Sequence, residues 1–422
     1  MSLDNAEIHL KNVIIPYWNS LKDEENGGFY GYKGFDLAVD KQADKGVILH
    51  SRILWFYASA YMTLSDESLR SYADHAYAFL RDHAFDKKNG GIFWMLTYDG
   101  KPADTTKNAY NQAFGIYALS AYYRATGCRE ALRLAYHLFE CIEAYCTDAV
   151  GYLEAFTADW KTPVESAICD QGVVADKSMN TLLHLVEGYS GLLAADPESR
   201  AVAAALTRLL TIATDKMYNP RLRRIETFFD ADLNNLADIH SYGHDAESSW
   251  LLDWAADVLE AAVKAGAPLT SAEKSRALEA VQKTHAITGE LARCVLEKAF
   301  DGRALNLESR GEAAGHEVMN TERVWWVEAE AVVGFVNAWK KADAAPAFES
   351  GALKADEPAA FKTAAEAVYA YIMDVVVDKR PGSEWFSSVS EDGEPLEKPI
   401  TEPWKCPYHN GRMCLELIRR LR

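Results

Sequence analysis

The pattern of apolar and polar positions along this chain predicts two kinds of helix in alternation. Stretches such as residues 69–85 place their apolar residues on one face, which is typical of helices that pack on a core from outside. Others, such as Ile116-Tyr117-Ala118-Leu119, are apolar on nearly every face, which indicates helices buried on both sides. Short aromatic segments and turns such as Asp99-Gly100 separate the helices and are typical of β-hairpins. The chain is therefore predicted to be mainly helical, with short β-hairpins in its loops.

This alternation repeats six times with a period of roughly 60 to 80 residues, and each unit holds one helix of each kind. The amphipathic helices are predicted over residues 5–21, 69–85, 129–146, 199–217, 272–300 and 359–377. Six helix pairs suit either an open α-solenoid or a closed double ring. Because the second helix of each pair is apolar nearly all round, we predict the closed ring, an (α/α)6 barrel of six inner and six outer helices.

Composition and charge narrow the class of protein. No Ser-, Pro- or Gly-rich linker divides the 422 residues, so residues 1–422 are predicted to form a single (α/α)6-barrel catalytic domain. The net charge of -18 would repel phosphate backbones, which argues against nucleic acid and anionic membranes as partners. The N-terminus is acidic and polar, and no apolar run reaches ~18 residues, so we expect a cytoplasmic protein, acting as a monomer. Seven cysteines without a CxxC pair indicate reduced thiols.

Functional side chains are expected where the inner helices begin. In a closed ring these six N-termini meet at one end, where their backbone N–H groups favour anionic oxygen. The corresponding positions in the sequence are rich in His, Trp and Arg. They are Arg52; Tyr110 and Asn111; Asn180 and His184; His244, Glu247 and Trp250; Trp325, Trp326 and Glu330; and Trp404, His409 and Arg412.

Two histidines of this set are the candidate catalytic groups. His244 and His409 belong to the fourth and sixth units, nearly across a closed ring. With an ordinary pKa near 6.5, two facing imidazoles can take a proton from one face of a carbon and return one to the other. Glu247, one turn after His244, is expected to orient the imidazole, and Trp250 is expected on the same helix face. The alternative for His244 is a helix-capping role.

The remaining polar candidates have structural alternatives. Arg52 enters a very apolar helix, so it should meet either a ligand or a buried carboxylate, Glu330 or Glu247. His184 lies in an apolar run and is either a ligand contact or a core histidine. Tyr110 and Asn180 are candidates for hydrogen bonds to sugar hydroxyls, and the tryptophans are candidates for stacking on sugar rings.

The sequence contains no complete motif for binding a metal or a nucleotide cofactor. His244 and Glu247 could ligate zinc, but no HExxH motif or third neighbouring ligand completes a set. The chain has no Walker-type loop, and no GxGxxG follows a predicted strand. We therefore expect neither a metal nor a cofactor.

Four stretches of the chain resemble the N-acylglucosamine 2-epimerase superfamily and, within it, the cellobiose 2-epimerases. They are NVIIPYW (12–18) with ENGGFYG (25–31), YGHDAESSW (242–250), WWVEAEA (325–331) and WKCPYHNGR (404–412). The resemblance implies an (α/α)6 barrel, catalytic histidines at His244 and His409, and a histidine-supporting glutamate at Glu247. It also implies sugar-binding positions at Arg52, His184, Tyr110, Asn180, Trp250, Trp326, Glu330 and Trp404.

The reaction implied by this resemblance is a cofactor-independent epimerisation at C2 of the reducing-end glucose of a β-1,4-linked disaccharide. Cellobiose is the expected substrate and lactose a further one, with proton removal and return passing through an enediolate. The same chemistry would also suit an aldose–ketose isomerase acting on mannose or an N-acylglucosamine 2-epimerase. The residues leave open a glycoside hydrolase that uses Glu247 and Glu330 as its carboxylates, and a carbohydrate-binding module without turnover.

Overall fold

The computed structural model describes residues 2–164, 172–344 and 357–422, and in these ranges the helices form two concentric rings. The outer helices are α1 (residues 3–19), α3 (Glu67–Phe79, continued to residue 84 by a π turn), α5 (Arg129–Cys141, continued to 146), α7 (Arg200–Ile212, continued to 217), α9 (Ser271–Lys298) and α11 (Glu357–Tyr371, continued to 376). The inner helices are α2 (Val47–Leu64), α4 (Ala109–Thr126), α6 (Met179–Ala195), α8 (Tyr242–Lys264), α10 (Trp325–Ala344) and α12 (His409–Leu421).

The ring of inner helices is closed. Each inner helix packs against the next one along the chain, and α12 returns to pack against α2. The first outer helix covers α12, so the two ends of the chain meet, as in the ion pair between Arg422 and Glu7 at 2.5 Å. This arrangement confirms the predicted (α/α)6 barrel and rules out the open solenoid.

Short antiparallel strands lie at the end of the barrel where the inner helices begin. Two sheets have three strands, Lys45–Gly46 with Met95–Leu96 and Pro102–Asp104, and Ile239–Ser241 with Glu308–Arg310 and Val318–Asn320. The two-stranded pairs are Tyr32–Lys33 with Val39–Asp40, Lys107–Asn108 with Ala155–Phe156, Lys177–Ser178 with Phe228–Phe229, Tyr218–Asn219 with Arg224–Ile225, and Arg323–Val324 with Ser388–Val389. The strands that lead into inner helices join consecutive units and form the rim of this end.

A repeated ion pair fixes where several inner helices begin. An aspartate after the outer helix accepts backbone N–H bonds of its own turn, and a basic residue at the strand before the inner helix reaches it. The pairs are Lys45 with Asp23 (2.7 Å), Lys107 with Asp86 (3.1 Å), Lys177 with Asp148 (2.6 Å) and Arg323 with Asp301 (2.5 Å). In each pair the basic side chain is almost fully buried, so the entry to the inner helix is held by charge as well as by packing.

The fourth residue of four inner helices fixes how the helix is rotated. This side chain accepts a hydrogen bond from a backbone N–H of the neighbouring loop: His50 from Phe29 (3.0 Å), Gln112 from Ile92 (2.8 Å), Asp245 from Ile225 (3.2 Å) and Glu328 from Leu305 (3.1 Å). A residue two positions away on a helix is turned by about 200° and lies on the opposite face. The second and sixth residues of these helices therefore face the barrel axis.

Several predicted features need correction or lie outside the described part of the chain. Helix α8 begins at Tyr242 and α2 at Val47, so His244 and Arg52 lie inside the first two turns instead of at the helix start. Cys169 lies outside the described residues, and the other six cysteines are free thiols. In the ranges that the structure describes, no helix has an apolar stretch long enough to cross a membrane.

Candidate active site

A cavity of about 520 Å³ opens at the end of the barrel where the inner helices begin. Its walls include nine of the eleven residues predicted for the site: Arg52, Tyr110, Asn180, His184, His244, Glu247, Trp326, Trp404 and His409. Most of them are second or sixth residues of their inner helices, which is the face turned to the axis. We call this space the active cavity.

His409 is held by a carboxylate from the neighbouring inner helix. Its Nδ1 lies 2.7 Å from Oε1 of Glu330, and the same oxygen accepts a bond from Arg412 at 2.7 Å. The other oxygen, Oε2, accepts a bond from the indole of Trp250 at 2.9 Å. Because Arg412 and Trp250 can only donate, Glu330 acts as the acceptor, and the Nδ1 of His409 carries the proton. The Nε2 of His409 is then left with a free lone pair, as a base requires.

His244 is held by a hydroxyl instead of a carboxylate. Its Nδ1 lies 2.7 Å from the Oγ of Ser241, the residue that ends the preceding strand. The prediction that Glu247 orients His244 is wrong, because within the described residues no hydrogen bond joins them. Glu247 is instead bonded by Arg412, and its second oxygen lies 4.0 Å from Nε2 of His184.

The two candidate catalytic imidazoles contact the same indole. The ring centre of Trp326 lies 4.9 Å from that of His244 and 5.6 Å from that of His409. Trp326 is the second residue of α10 and lines the active cavity together with both histidines. Both imidazoles therefore line the part of the active cavity next to Trp326.

Arg412 joins three carboxylates beneath the active cavity. It is fully buried and bonds Glu187 at 2.6 Å, Glu330 at 2.7 Å and Glu247, each from a different inner helix. Its guanidinium also lies 4.0 Å from the ring centre of Tyr408. One buried cation thus fixes side chains of α6, α8 and α10 relative to α12.

Glu187 was missed by the sequence analysis. It bonds the Nδ1 of His184 at 3.0 Å and accepts a hydrogen bond from the hydroxyl of Tyr408 at 2.5 Å. Burial raises the pKa of Glu187, while Arg412 opposes that rise. The available signal was the spacing: Glu187 follows His184 by three residues, as Glu247 follows His244 and Arg412 follows His409.

Arg52 is a buried cation that pairs with no carboxylate of the described residues. It donates to the hydroxyl of Tyr110 at 2.7 Å and to the carbonyl of Trp404 at 3.3 Å, and it lies 4.2 Å from the ring centre of Phe114. Its Nε is buried with no hydrogen-bond partner in the described residues. The alternative of an ion pair with Glu330 or Glu247 is wrong, because Arg412 occupies both.

Two predicted substrate contacts lie behind the active cavity. Glu330 is fully buried beneath His409 and positions it. Trp250 donates to Glu330, and its ring lines a separate cavity at the other end of the barrel. Six residues beyond His244, Trp250 is about 9 Å further along the helix and turned away by about 240°. Neither residue is placed to touch a ligand of the active cavity.

Burial sets the protonation of the three histidines. It lowers the pKa of His244 and of His184 to about 3 and the pKa of His409 well below its ordinary value. Glu247 opposes the lowering at His184 and His409, whereas Arg52 and Arg412 reinforce it. In the free protein the three rings are therefore neutral near pH 7.

The mouth of the active cavity carries charged groups that the sequence analysis did not select. Lys398 and Glu322 form an ion pair at 2.5 Å, and Glu402 lines the cavity nearby. Burial raises the pKa of Glu402. Deeper in the cavity, Oδ1 of Asn180 is buried without a partner in the described residues, which suits a hydroxyl donor from a ligand.

The only three-residue donor set in the described residues that has metal-ligand spacing does not suit a cation. Donor atoms of Glu247, Glu330 and His409 lie within 4.8 Å of one another. Arg412 already bonds both carboxylates, and Glu330 also holds the Nδ1 of His409 and the indole of Trp250. A metal ion there would lie against a fixed guanidinium, so these residues do not fit a metal site.

The chain is similar to known proteins over nearly its whole length. The family model for N-acylglucosamine 2-epimerase (GlcNAc 2-epimerase) matches residues 27–411. A cellobiose 2-epimerase of Eubacterium cellulosolvens is 44% identical over 425 residues, 97% of this chain and 96% of the relative. The crystal structure of a sugar epimerase from a ruminal bacterium matches with a TM-score of 0.89 at 43% identity, covering 100% of this chain and 99% of that chain. A D-mannose isomerase at 17% identity shares the fold, with a TM-score of 0.77 over 99% of this chain and 98% of that chain.

Proposed function

This chain belongs to the N-acylglucosamine 2-epimerase family and is an epimerase or isomerase, and on that premise we propose that it inverts C2 of the reducing-end glucose of a β-1,4-linked disaccharide. Cellobiose is the proposed substrate, giving the glucose–mannose disaccharide, and lactose is a second one. The cellobiose 2-epimerases of 44% identity support this substrate class, because their matches extend over nearly the whole chain.

The observation that carries the proposal is the pair of imidazoles in one cavity. His244 and His409 both contact Trp326, and each has its Nδ1 fixed by a separate partner. A base and an acid on two sides of one carbon are what inversion of a C–H centre requires. A volume of about 520 Å³ falls within the range of pockets that bind small ligands.

The first step opens the sugar ring and exposes the aldehyde. One histidine takes the proton from O1 while O5 gains a proton from water, so that C1 becomes a carbonyl and the C2–H becomes acidic. The other histidine then takes the C2 proton at Nε2, and the electron pair moves through C1 onto O1. Arg52 lines this cavity, pairs with no carboxylate in the part of the chain that the structure describes, and stabilises the enediolate oxygen.

The second half of the reaction returns a proton to the other face of C2. Rotation about C2–C3 presents that face to the histidine that took the proton from O1, and this imidazolium now acts as the acid. Glu330 supplies His409 with the negative charge that supports an imidazolium, while Ser241 gives His244 a neutral partner. When the ring closes, the imidazole that took the C2 proton gives a proton to O1 and O5 returns its proton to water, so both histidines end each turnover neutral.

His184 and Glu247 bind hydroxyls of the reacting sugar in this proposal. His184 has its Nδ1 on Glu187, so its Nε2 is an acceptor, and Glu247 keeps one oxygen that Arg412 does not bond. Tyr110 and Asn180 add polar groups beside them, and Trp404 offers an aromatic face. None of these roles needs a cofactor.

A glycoside hydrolase is not supported by the carboxylates available. Glu247 and Glu330 bond the same guanidinium, and Glu330 does not line the active cavity. Hydrolysis requires two carboxyl groups that flank the scissile bond from either side. The two glutamates are therefore positioned to hold Arg412 and His409 instead.

Product identity tests the proposed function. The purified protein is incubated separately with cellobiose, lactose, mannose and N-acetylglucosamine, and the products are identified by NMR and chromatography. We expect glucosyl-mannose from cellobiose and epilactose from lactose. Fructose from mannose as the main product would identify an aldose–ketose isomerase, and free glucose from cellobiose would identify a hydrolase. N-acetylmannosamine as the main product would shift the substrate class to N-acylglucosamine.

A further inference from the structure

Three glutamates line the active cavity, and two of them are held by a cation. Arg412 bonds Glu247. Lys398 bonds Glu322 at 2.5 Å. The third is Glu402, whose carboxylate forms no ion pair and accepts no hydrogen bond in the part of the chain that the structure describes. Both of its carboxylate oxygens are therefore available to a ligand.

Two lysines lie close enough to Glu402 to act on its pKa, but both are paired elsewhere. Burial raises the pKa of Glu402, and the charges of Lys405 and Lys398 oppose that rise. Lys405 is paired with Glu384 at 2.7 Å, and both side chains of this pair are fully buried. A half-buried carboxylate without a donor costs free energy, which the hydroxyl groups of a bound sugar would offset by donating to it.

Exposure separates the floor of the active cavity from its mouth. Arg52, His184 and Glu247 form the floor, since each is at most 2% exposed. Lys398 lies at the mouth, with a side chain that is 48% exposed. Glu402 follows Lys398 by four residues in the same loop and is half-buried. Glu402 therefore belongs to the mouth of the cavity and not to its floor.

The chemistry of a disaccharide directs its second ring towards this mouth. C1 and C2 of the reacting ring must reach Arg52 and the two candidate catalytic histidines. In a β-1,4-linked disaccharide the second ring is attached at C4, which lies opposite C1 across the pyranose. With C1 and C2 at the floor, C4 and the second ring point to the side of the cavity where Lys398 and Glu402 lie.

We propose that Glu402 binds hydroxyl groups of the second, non-reacting ring and makes the protein favour disaccharides over monosaccharides. The substrate class in this proposal rests on the proposed function. Because Glu402 meets the ring that does not react, it contributes to affinity. The proton transfers at C2 remain with His244 and His409.

The charge of Glu402 also discriminates between second rings. A second ring of glucuronic acid carries a carboxylate, which an ionised Glu402 repels. Lys398 does not compensate for this repulsion, because it is paired with Glu322. The protein should therefore prefer a neutral second ring to an acidic one.

Binding of unreactive glycosides to the intact protein tests this role. Methyl β-cellobioside, methyl β-glucoside and the methyl β-glycoside of glucuronyl-β-1,4-glucose cannot open their rings, so calorimetry near neutral pH measures Kd without turnover. We expect Glu402→Gln to weaken methyl β-cellobioside about tenfold, the effect of losing a hydrogen bond to a charged group, and to leave methyl β-glucoside unchanged. The acidic glycoside should bind the wild type about tenfold more weakly than methyl β-cellobioside, and Glu402→Gln should remove most of this difference.

Two control variants separate this effect from other causes. Glu397→Gln makes the same change of charge in the same loop, but Glu397 is exposed and does not line the active cavity. We expect wild-type affinities for all three glycosides in Glu397→Gln. Asn180→Ala removes a polar group beside the reacting ring, so it should weaken methyl β-glucoside and methyl β-cellobioside alike. The acidic glycoside identifies the ring that Glu402 meets even where methyl β-glucoside binds too weakly to measure.

Any one of three results would overturn the proposal. Glu402→Gln could bind methyl β-cellobioside with the wild-type Kd, or it could weaken both neutral glycosides equally, as Asn180→Ala does. It could also leave the difference between the neutral and the acidic disaccharide unchanged. Failure of the proposed function is a separate result, seen as absence of an epimeric product, and it does not alter these binding comparisons.

Discussion

Arg412 positions three glutamates at the active cavity. It bonds Glu187, Glu247 and Glu330, so the glutamates predicted to act directly on substrate or on His244 are instead tied to one cation. The result is an unequal pair of catalytic candidates. His409 has an anionic partner in Glu330, whereas His244 has the hydroxyl of Ser241.

Replacing Glu330 by glutamine should show whether Glu330 positions His409 for catalysis or binds the substrate. Glu330→Gln removes the charge that holds the Nδ1 of His409 and replaces one carboxylate oxygen by an amide NH2, which cannot accept a hydrogen bond. We expect kcat to fall about 100-fold, within the usual range for a general acid or base, with KM changed little. Steady-state kinetics with cellobiose measures both constants.

The control for this variant is Glu328→Gln, two residues away in the same helix. Glu328 is equally buried but bonds the backbone of Leu305, outside the active cavity. We expect kcat near the wild-type value for Glu328→Gln. Equal losses in the two variants would show that Glu330 matters only for folding.

Arg52 provides a second test at the residue scale. Arg52→Lys keeps the charge but loses the planar group that bonds Tyr110 and the carbonyl of Trp404. We expect kcat/KM to fall by about 100-fold, the effect of losing one donor to a developing oxyanion. Arg224→Lys is the control, because Arg224 is also buried but lies outside the active cavity. A wild-type kcat/KM for Arg52→Lys would show that Arg52 does not stabilise the enediolate.

Residue identity could be predicted from the sequence, but residue role could not. Nine of the eleven predicted residues line the active cavity, since the six helix starts are visible as repeated positions. The partners of His244 and His409 were not predictable. They depend on helix rotation and on Arg412, which reaches three helices that are distant in sequence.

At the scale of single elements, the fourth residue of four inner helices sets the rotation of the helix about its axis. His50, Gln112, Asp245 and Glu328 each bind a loop N–H, which turns the second and sixth residues to the axis. Amphipathic periodicity was enough to predict the boundaries of the outer helices. It did not predict that α2 begins at Val47 and α8 at Tyr242, because strands and buried ion pairs before the inner helices set where these helices begin.

The repeated ion pairs should matter for stability. Lys45 and Asp23 are both fully buried, and Lys45 also donates to the carbonyl of Gly27 at 2.7 Å. Lys45→Met leaves the carboxylate of Asp23 buried without its cation, so we expect a loss of about 3–5 kcal/mol in the free energy of unfolding. Urea denaturation measures the loss.

The matched control is the exposed pair of Lys101 and Asp99 at 2.6 Å, where the Lys101 side chain is 76% exposed. Lys101→Met should leave the urea midpoint almost unchanged, since water screens such pairs. Equal effects of Lys45→Met and Lys101→Met would show that the buried pair does not anchor the helix entry.

Glu328 should make stability depend on pH. Burial raises its pKa from 4.5 to about 8, so the folded state binds its proton more tightly than the unfolded state. The tighter proton binding contributes fully to the free energy of unfolding below pH 4.5. This contribution is lost as the pH rises to about 8, by up to about 1.4 kcal/mol per pH unit. Glu328→Gln does not titrate, so its stability relative to wild type should increase between pH 5 and pH 9. A difference that stays constant over this range would contradict the shifted pKa.

At the scale of the whole molecule, closure of the ring brings His409 to the site. Helix α12 packs between α10 and α2, and α1 covers it from outside. The last inner helix therefore meets side chains from the first half of the chain, as Arg412 meets Glu187. The six-fold repeat predicted this closure, because only a complete ring buries both sides of each apolar inner helix.

The exchange of a C2 proton between substrate and solvent is the central claim, and turnover in D2O tests it most directly. Cellobiose is incubated with the protein in D2O, and the reducing-end sugar of the product is analysed by NMR and mass spectrometry. We predict glucosyl-mannose with one deuterium at C2, and loss of epimerisation in both His244→Asn and His409→Asn. A product that keeps its original C2 proton, or near-normal rates in both variants, would contradict the two-histidine mechanism.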